Sequence, residues 1–211
     1  MPPEVMQAMI EANDYFVDMH ELNKAAGSHI AKIMRAEDAI VTSGGFSAMI
    51  LGAAACLTGN DPEKIEALPQ VTWPKRECLI QSGHRFHYDR AYRTAGMTIV
   101  EAETQEQFRR NLSQRTAMIA VLAAVEKQRI FDTPFPLKRS EPPPPEVMSS
   151  QELVDTGRKA GVPVLVDMAS DIPPASNLTR FLEMGADLVV VSGGKGIGGP
   201  QSTGILAGRK I

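Results

Sequence analysis

The chain has only two cysteines in 211 residues, with no CxxC pair and no second couple to complete a zinc set. That excludes a disulfide framework and a cysteine-based metal centre, and no metal site is expected. Cys56 and Cys78 stand alone in the apolar runs "AAACLTG" and "RECLIQ" and read as buried, reduced thiols. Long apolar runs are missing too: none approaches the roughly 20 residues that span a bilayer, so no membrane partner is expected. The opening "MPPEVMQAMIEANDYF" lacks the basic stretch and apolar core of a secretory signal, and a cytoplasmic location is expected. An excess of one charge is also absent. Lys and Arg number 22 against 25 Asp and Glu, a net charge of −3 with no basic face, so nothing marks a nucleic-acid binder.

What the chain does have is alternation. Met6, Met9, Ile10, Phe16, Met19 and Leu22, then Ile30, Ile33 and Met34, recur at helical spacing from Pro3 to Arg35. This predicts two helices broken near Gly27, within an N-terminal helical region 1–36. A short strand Ala39–Thr42, a Ser-Gly-Gly turn and an Ala-rich helix to about Leu57 follow, then "TGNDPEKIEALP", a turn-rich connector. Further strands are expected at Glu77–Gln81, Met97–Glu101, Ala117–Leu122, Val162–Asp167, Ala186–Val191 and Thr203–Ala207. Helical patterns lie between most of them, at about Tyr88–Ala95, Gln105–Leu112, Ser150–Ala160 and Asn177–Met184.

Strands alternating with helices predict a three-layer α/β/α fold around a mostly parallel sheet. The link from Val191 to Thr203 is too short and too glycine-rich for a crossover helix, so the last strand should run antiparallel to its predecessor. Seven strands result, six parallel and one reversed. The stretch "FDTPFPLKRSEPPPPEVMSS", residues 131–150, is too rich in proline for helix or central strand. It reads as a stiff surface excursion, either an extended spacer or a wall over a pocket.

In a parallel sheet, ligands bind beyond the carboxyl ends of the strands. Three chemistries are expected to meet there. The turn "TSGGFSA" opens a helix at Ser43, Gly44 and Gly45, where free N–H groups and the helix dipole favour an anion such as phosphate. Asp167 closes "VPVLVD" and can hold a proton on a ring nitrogen. Lys195, in "SGGKGIGGPQ", offers an amine that condenses with an aldehyde. Phosphate, protonated pyridine and aldehyde are the three handles of pyridoxal 5′-phosphate. Gly194, Gly196 and Gly199 also match G-x-G-x-x-G, but Pro200 leads into "STGILAG" rather than a helix, against a dinucleotide site. A P-loop fails because Val189 and Gly196 occupy two of its required positions. The plain alternative is a solvated loop lysine among turn-forming glycines.

The segments "SGGKGIGGPQSTGILAGRK", "VPVLVDMAS" and "SGHRFHYDRAYRTAG" resemble the selenocysteine synthase-like group of fold-type I, aspartate aminotransferase-superfamily enzymes, meaning bacterial L-seryl-tRNA seleniumtransferase and its relatives, among them ammonia-lyases acting on sugar acids. The resemblance runs from about Pro2 to the end. It implies a seven-stranded large-domain sheet with one antiparallel strand, and pyridoxal 5′-phosphate carried by Lys195 as an imine. It further implies that Asp167 pairs with the pyridine nitrogen, and that Ser43, Gly44 and Gly45 hold the phosphate with Ser192. His84 is the candidate to stack on the ring, with His87 and Arg85 as alternatives. Arg85 could also bind a substrate carboxylate, and Ser170 and Gln201 are further candidate substrate contacts. His20 and His29 are expected to be solvated on the N-terminal helices.

The group forms dimers or larger rings, so self-association is expected. Its members have a small C-terminal domain and a preceding N-terminal segment, neither of which is expected within residues 1–211. Residues 1–211 therefore read as the large domain alone, truncated at both ends. The implied activity is β-elimination or β-replacement on an amino acid or amino sugar acid, with tRNA not expected as a partner. The alternative from another class is a paralogue that binds the cofactor or a full-length partner without turnover.

Overall fold

The computed structural model describes residues 1–126 and 147–210. Two helices, α1 (Pro3–Ala12) and α2 (Met19–Met34), precede the first strand. The break between them is at residues 13–18 rather than at Gly27. Asp18 restarts the helix by accepting hydrogen bonds from the His20 and Glu21 N–H groups. Gly27 lies buried within α2 because the helix packs backbone to backbone on the next strand. A Cβ there would sit 2.0 Å from the Ala39 carbonyl oxygen. This glycine is a contact residue, not a breaker.

The strands are β1 (Asp38–Thr42), β2 (Glu77–Gln81), β3 (Thr98–Ala102), β4 (Thr116–Leu122), β5 (Val164–Asp167), β6 (Leu188–Ser192) and β7 (Gly204–Gly208). They form one sheet in the order β1-β7-β6-β5-β4-β2-β3. Only β7 is reversed, pairing antiparallel with both β1 and β6, while the other pairings are parallel. The expected six-to-one pattern is observed. Strand β5 starts at Val164, not Val162, because Pro163 has no N–H for the ladder; its carbonyl instead accepts from the Ile119 N–H.

The helices α3 (Gly45–Thr58), α4 (Pro62–Ala67), α5 (Arg90–Thr94), α6 (Gln105–Asn111), α7 (Ser150–Ala160) and α8 (Asn177–Met184) complete the two outer layers. Helix α4 lies inside the expected connector. Pro62 has the backbone angle of a first helical residue, and Asp61 caps the Glu63 and Lys64 N–H groups. Helix α7 opens with a capping box between Ser149 and Glu152. The proline-rich stretch 131–150 falls outside the described residues up to position 146; Val147 to Ser149 lead directly into α7.

Central strands are buried on both faces, which is why "LVVV" and "VLVD" read as continuous apolar runs rather than alternating ones. Leu79, Ile119, Val121, Val166 and Val189 face Phe108, Leu153 and Phe181 on one side. Cys78, Ile80, Met118, Leu165 and Val190 face Ala48, Met49 and Tyr92 on the other. Each such side chain contributes about 1.5–3 kcal/mol on burial. Cys78 is buried as expected, whereas Cys56 is only partly so; both are free thiols. No helix among the described residues is long and apolar enough to cross a membrane.

Candidate functional site

Three loops converge beyond the carboxyl ends of β1, β5 and β6. After β1 the chain turns through Ser43 and Gly44 into α3. Gly44 adopts φ 96°, a conformation that favours glycine. The Gly44 N–H folds back onto the Thr42 carbonyl, and no side chain caps the helix. Among the described residues the Gly45, Phe46 and Ser47 N–H groups have no protein acceptor, so α3 opens as an uncompensated cluster of donors with the positive end of its dipole. A Cβ added to Gly44 would meet nothing within 4 Å, so the mouth is open. One added to Gly45 would lie 3.8 Å from Ser192 Cβ and 3.9 Å from Ala169 Cβ. The turn at residues 43–45 thus abuts both the end of β6 and the loop after β5.

Asp167 ends β5 and is buried. Its Oδ1 accepts from the Ala169 N–H at 2.8 Å. Burial pushes its carboxyl from the ordinary 3.8 up to about 6; the Ala169 hydrogen bond and the positive charge of Lys195 oppose that rise, and Asp171 adds to it. Asp167 and Lys195 therefore share one electrostatic site. The tight turn after Asp167, closed by the Asp171 N–H on the Met168 carbonyl, also delivers Ser170 to the lysine: Lys195 Nζ donates to Ser170 Oγ at 2.8 Å.

Lys195 is exposed on the loop between β6 and β7, which is pinned by hydrogen bonds from the Gly193 N–H to Thr203 and from the Gly199 N–H to Gly193. Gly196 beside it has no room for a side chain, since a Cβ would lie 1.9 Å from the Ile172 carbonyl oxygen. Gln201 packs its backbone against Gly194, one residue before the lysine.

The other candidates are His84, Arg85 and the three remaining histidines. His84 follows β2 in a short 3-10 turn and is fully buried. Its Nδ1 accepts from the Leu122 N–H at 3.1 Å, which leaves the proton on Nε2 to meet the Met148 carbonyl at 2.8 Å. These two in-plane hydrogen bonds tie β4 to the approach of α7 and fix the orientation of the ring. The Arg85 guanidinium is engaged by Asp89 and Glu101, so it does not present the free fork that a substrate carboxylate would require. His20, His29 and His87 are exposed, the first two on α2 as expected.

Sequence reasoning missed Phe46, Tyr88 and Arg90, which gather at the mouth of α3. The only signal was their nearness in sequence to "SGG" and "SGH". Among the described residues no group of histidine, cysteine and acidic side chains is placed to hold a metal.

The donor set fits pyridoxal 5′-phosphate. Open N–H groups suit its phosphate, a buried carboxylate short of a cationic partner suits a protonated ring nitrogen, and a primary amine suits its aldehyde.

No family model matches the chain. A 5′-C-glycyluridine monooxygenase-decarboxylase from a Streptomyces species is 31% identical over 205 residues, 97% of this chain and 49% of that protein. The D-glucosaminate-6-phosphate ammonia lyase of Salmonella typhimurium is 26% identical, over 99% of this chain and 53% of its own length. An L-seryl-tRNA(Sec) selenium transferase of Mannheimia succiniciproducens is 28% identical, over 74% and 35%. A solved D-glucosaminate-6-phosphate ammonia-lyase superposes over the whole chain and 54% of its own with a TM-score of 0.84 at 25% identity. The chain spans about half the length of these first two curated relatives. Its homologues are thus selenocysteine synthase-like enzymes, and its fold is that of the fold-type I proteins that depend on pyridoxal 5′-phosphate.

Proposed function

We propose that residues 1–211 are the large, cofactor-binding domain of a pyridoxal-phosphate-dependent lyase or transferase acting on an amino acid or amino sugar acid by β-elimination or β-replacement. The observation that carries this reading is the meeting of Lys195 and Asp167 in one electrostatic site, with the turn at residues 43–45 abutting the same loops. The cofactor, when bound, supplies an aldehyde that receives amines and a ring that accepts electrons.

The chain's own groups do the rest. The Gly45, Phe46 and Ser47 N–H groups, with the Ser43 and Ser192 hydroxyls, hold the phosphate. The Asp167 carboxylate keeps a proton at the ring nitrogen. Lys195 Nζ is the amine that would hold the aldehyde carbon, and as a free amine it would be the base that takes a proton from the substrate. Ser170 Oγ orients that amine, and Gln201 borders the substrate side.

The relatives' names span a monooxygenase-decarboxylase, an ammonia lyase and a selenium transferase. The shared cofactor site therefore does not choose the bond that breaks. With 22 Lys and Arg against 25 Asp and Glu, the chain has no excess of positive charge to favour tRNA. Exposed Met6, Met9, Ile10, Phe16, Val17 and Leu22 offer an apolar surface to a second copy, and a cytoplasmic oligomer completes the reading. The exposure of Lys195 and Ser43 favours one second reading, a chain that binds the cofactor but turns over only when another segment or subunit encloses the site.

The test is uptake of pyridoxal 5′-phosphate by the purified chain, followed by borohydride reduction and peptide mapping. Cofactor fixed on Lys195, and lost in Lys195→Ala, is expected. Label on any other lysine, or retained in the variant, would overturn the assignment.

A further inference from the structure

A cationic feature beside the mouth of α3 is left unused by the cofactor. Arg90 opens α5, and its guanidinium carbon lies 5.7 Å from the centre of the Phe46 ring and 5.9 Å from that of Tyr88. Its Nη1 is 3.0 Å from His87 Nε2, to which it donates. The Phe46 and Tyr88 rings meet edge-on at 6.5 Å, and His87 packs edge-on against Tyr88 at 5.3 Å. Phe46 is the second residue of α3, so its ring hangs from the turn that carries the open N–H groups.

The neighbouring carboxylates are committed elsewhere. Asp89 is buried against Arg85 and the Phe86 N–H, and Glu101 also binds Arg85. Among the described residues no carboxylate pairs with Arg90. Two rings therefore hold an exposed, uncompensated guanidinium in place while its outward N–H groups remain available. Guanidinium donors present a fork that matches phosphate or carboxylate, and stacking on aromatic faces reduces the entropy lost when an anion binds.

We propose that Arg90 and His87, on the floor made by Phe46 and Tyr88, form a second anion subsite for a phosphate or carboxylate that the amino substrate carries at the end remote from its amine. The proposal rests on the cofactor reading, which assigns the first anion place to the turn at residues 43–45. It narrows the substrate class to amino compounds with a remote anionic group. The same chemistry could instead serve the cofactor's own phosphate, and the experiment separates the two.

The probe is the His87 ring resonance in the cofactor-free full chain, assigned with His87→Gln and followed while O-phospho-L-serine, L-glutamate or L-serine is added. Saturable movement with phosphoserine or glutamate is expected, with serine at least about tenfold weaker, and Arg90→Gln should weaken the anionic probe about tenfold or more. Cofactor affinity of Arg90→Gln, measured separately by absorbance, should stay within about twofold of the parent. Arg90→Lys, with a normal thermal melt, should recover part of the probe affinity. No response to either anion, equal affinity for serine, or parallel loss of cofactor and probe affinity in Arg90→Gln would each overturn the proposal. The last result would give Arg90 to the cofactor phosphate. Because the titration uses cofactor-free protein, a failure of Lys195 to trap the cofactor defeats the cofactor reading without silencing this measurement.

Discussion

Asp167→Asn should stabilise the cofactor-free protein in alkaline solution while impairing the site. The carboxyl titrates at about 6 in the folded chain against an ordinary 3.8, because the fold desolvates it. A raised folded value means that the native state holds its proton more tightly than the unfolded chain. The associated stability is fully present below about pH 4 and is lost as the pH climbs to about 6. Above that the ionised group costs about 3 kcal/mol, from 1.36 kcal/mol per pH unit. An asparagine keeps the Oδ1 that accepts the Ala169 N–H and removes the charge.

Urea denaturation of both proteins at pH 4, 6 and 8 should therefore show Asp167→Asn ahead by up to about 3 kcal/mol at pH 8, with the gap closing towards pH 4 and m unchanged. Pyridoxal 5′-phosphate should then stabilise the parent more than the variant, since only the parent gains a cationic ring nitrogen against its buried carboxylate. A variant no more stable than the parent at pH 8, or a gap independent of pH, would refute the account of Asp167 as a desolvated carboxylate awaiting a cation.

Gly27→Ala should destabilise the fold by about 2–4 kcal/mol in thermal or denaturant melts, because the added methyl would press on the Ala39 carbonyl and force α2 away from β1; an unchanged melt would show that the helix can retreat freely. Among the described residues the buried Tyr92 hydroxyl has no hydrogen-bond partner, so Tyr92→Phe should raise stability by about 1 kcal/mol, and a loss of that size would reveal a partner for the hydroxyl. Ser149→Ala removes the capping box of α7 and should cost about 1 kcal/mol with no effect on cofactor uptake.

The fold class was legible because burial on both faces writes itself into consecutive residues. Runs such as "LVVV" and "VLVD" need no partner to be recognised, and the short glycine-rich link before β7 forced its reversal. Helix starts were less legible. Gly27 looked like a break because a glycine in a helix usually weakens it, and only the approach of β1 shows why it is there. The dependence on pyridoxal 5′-phosphate seen in the relatives was also readable from sequence, since an amine, a carboxylate and an anion-receiving turn each carry their character locally.

Which side chains are free to act was not readable. His84 and Arg85 have suitable chemistry and suitable positions in the chain, yet their donors and acceptors are taken by Leu122, Met148, Asp89 and Glu101, at separations of 4 to 64 residues. Ser170 and Lys195, 25 residues apart, are joined by the way β5 and β6 lie side by side. The amino-acid order alone settled the alternation of strands and helices and which reactive groups exist. Tertiary packing alone decided which of those groups are consumed by neighbours and which face a ligand, because hydrogen-bond capacity is used up locally in space and not along the chain.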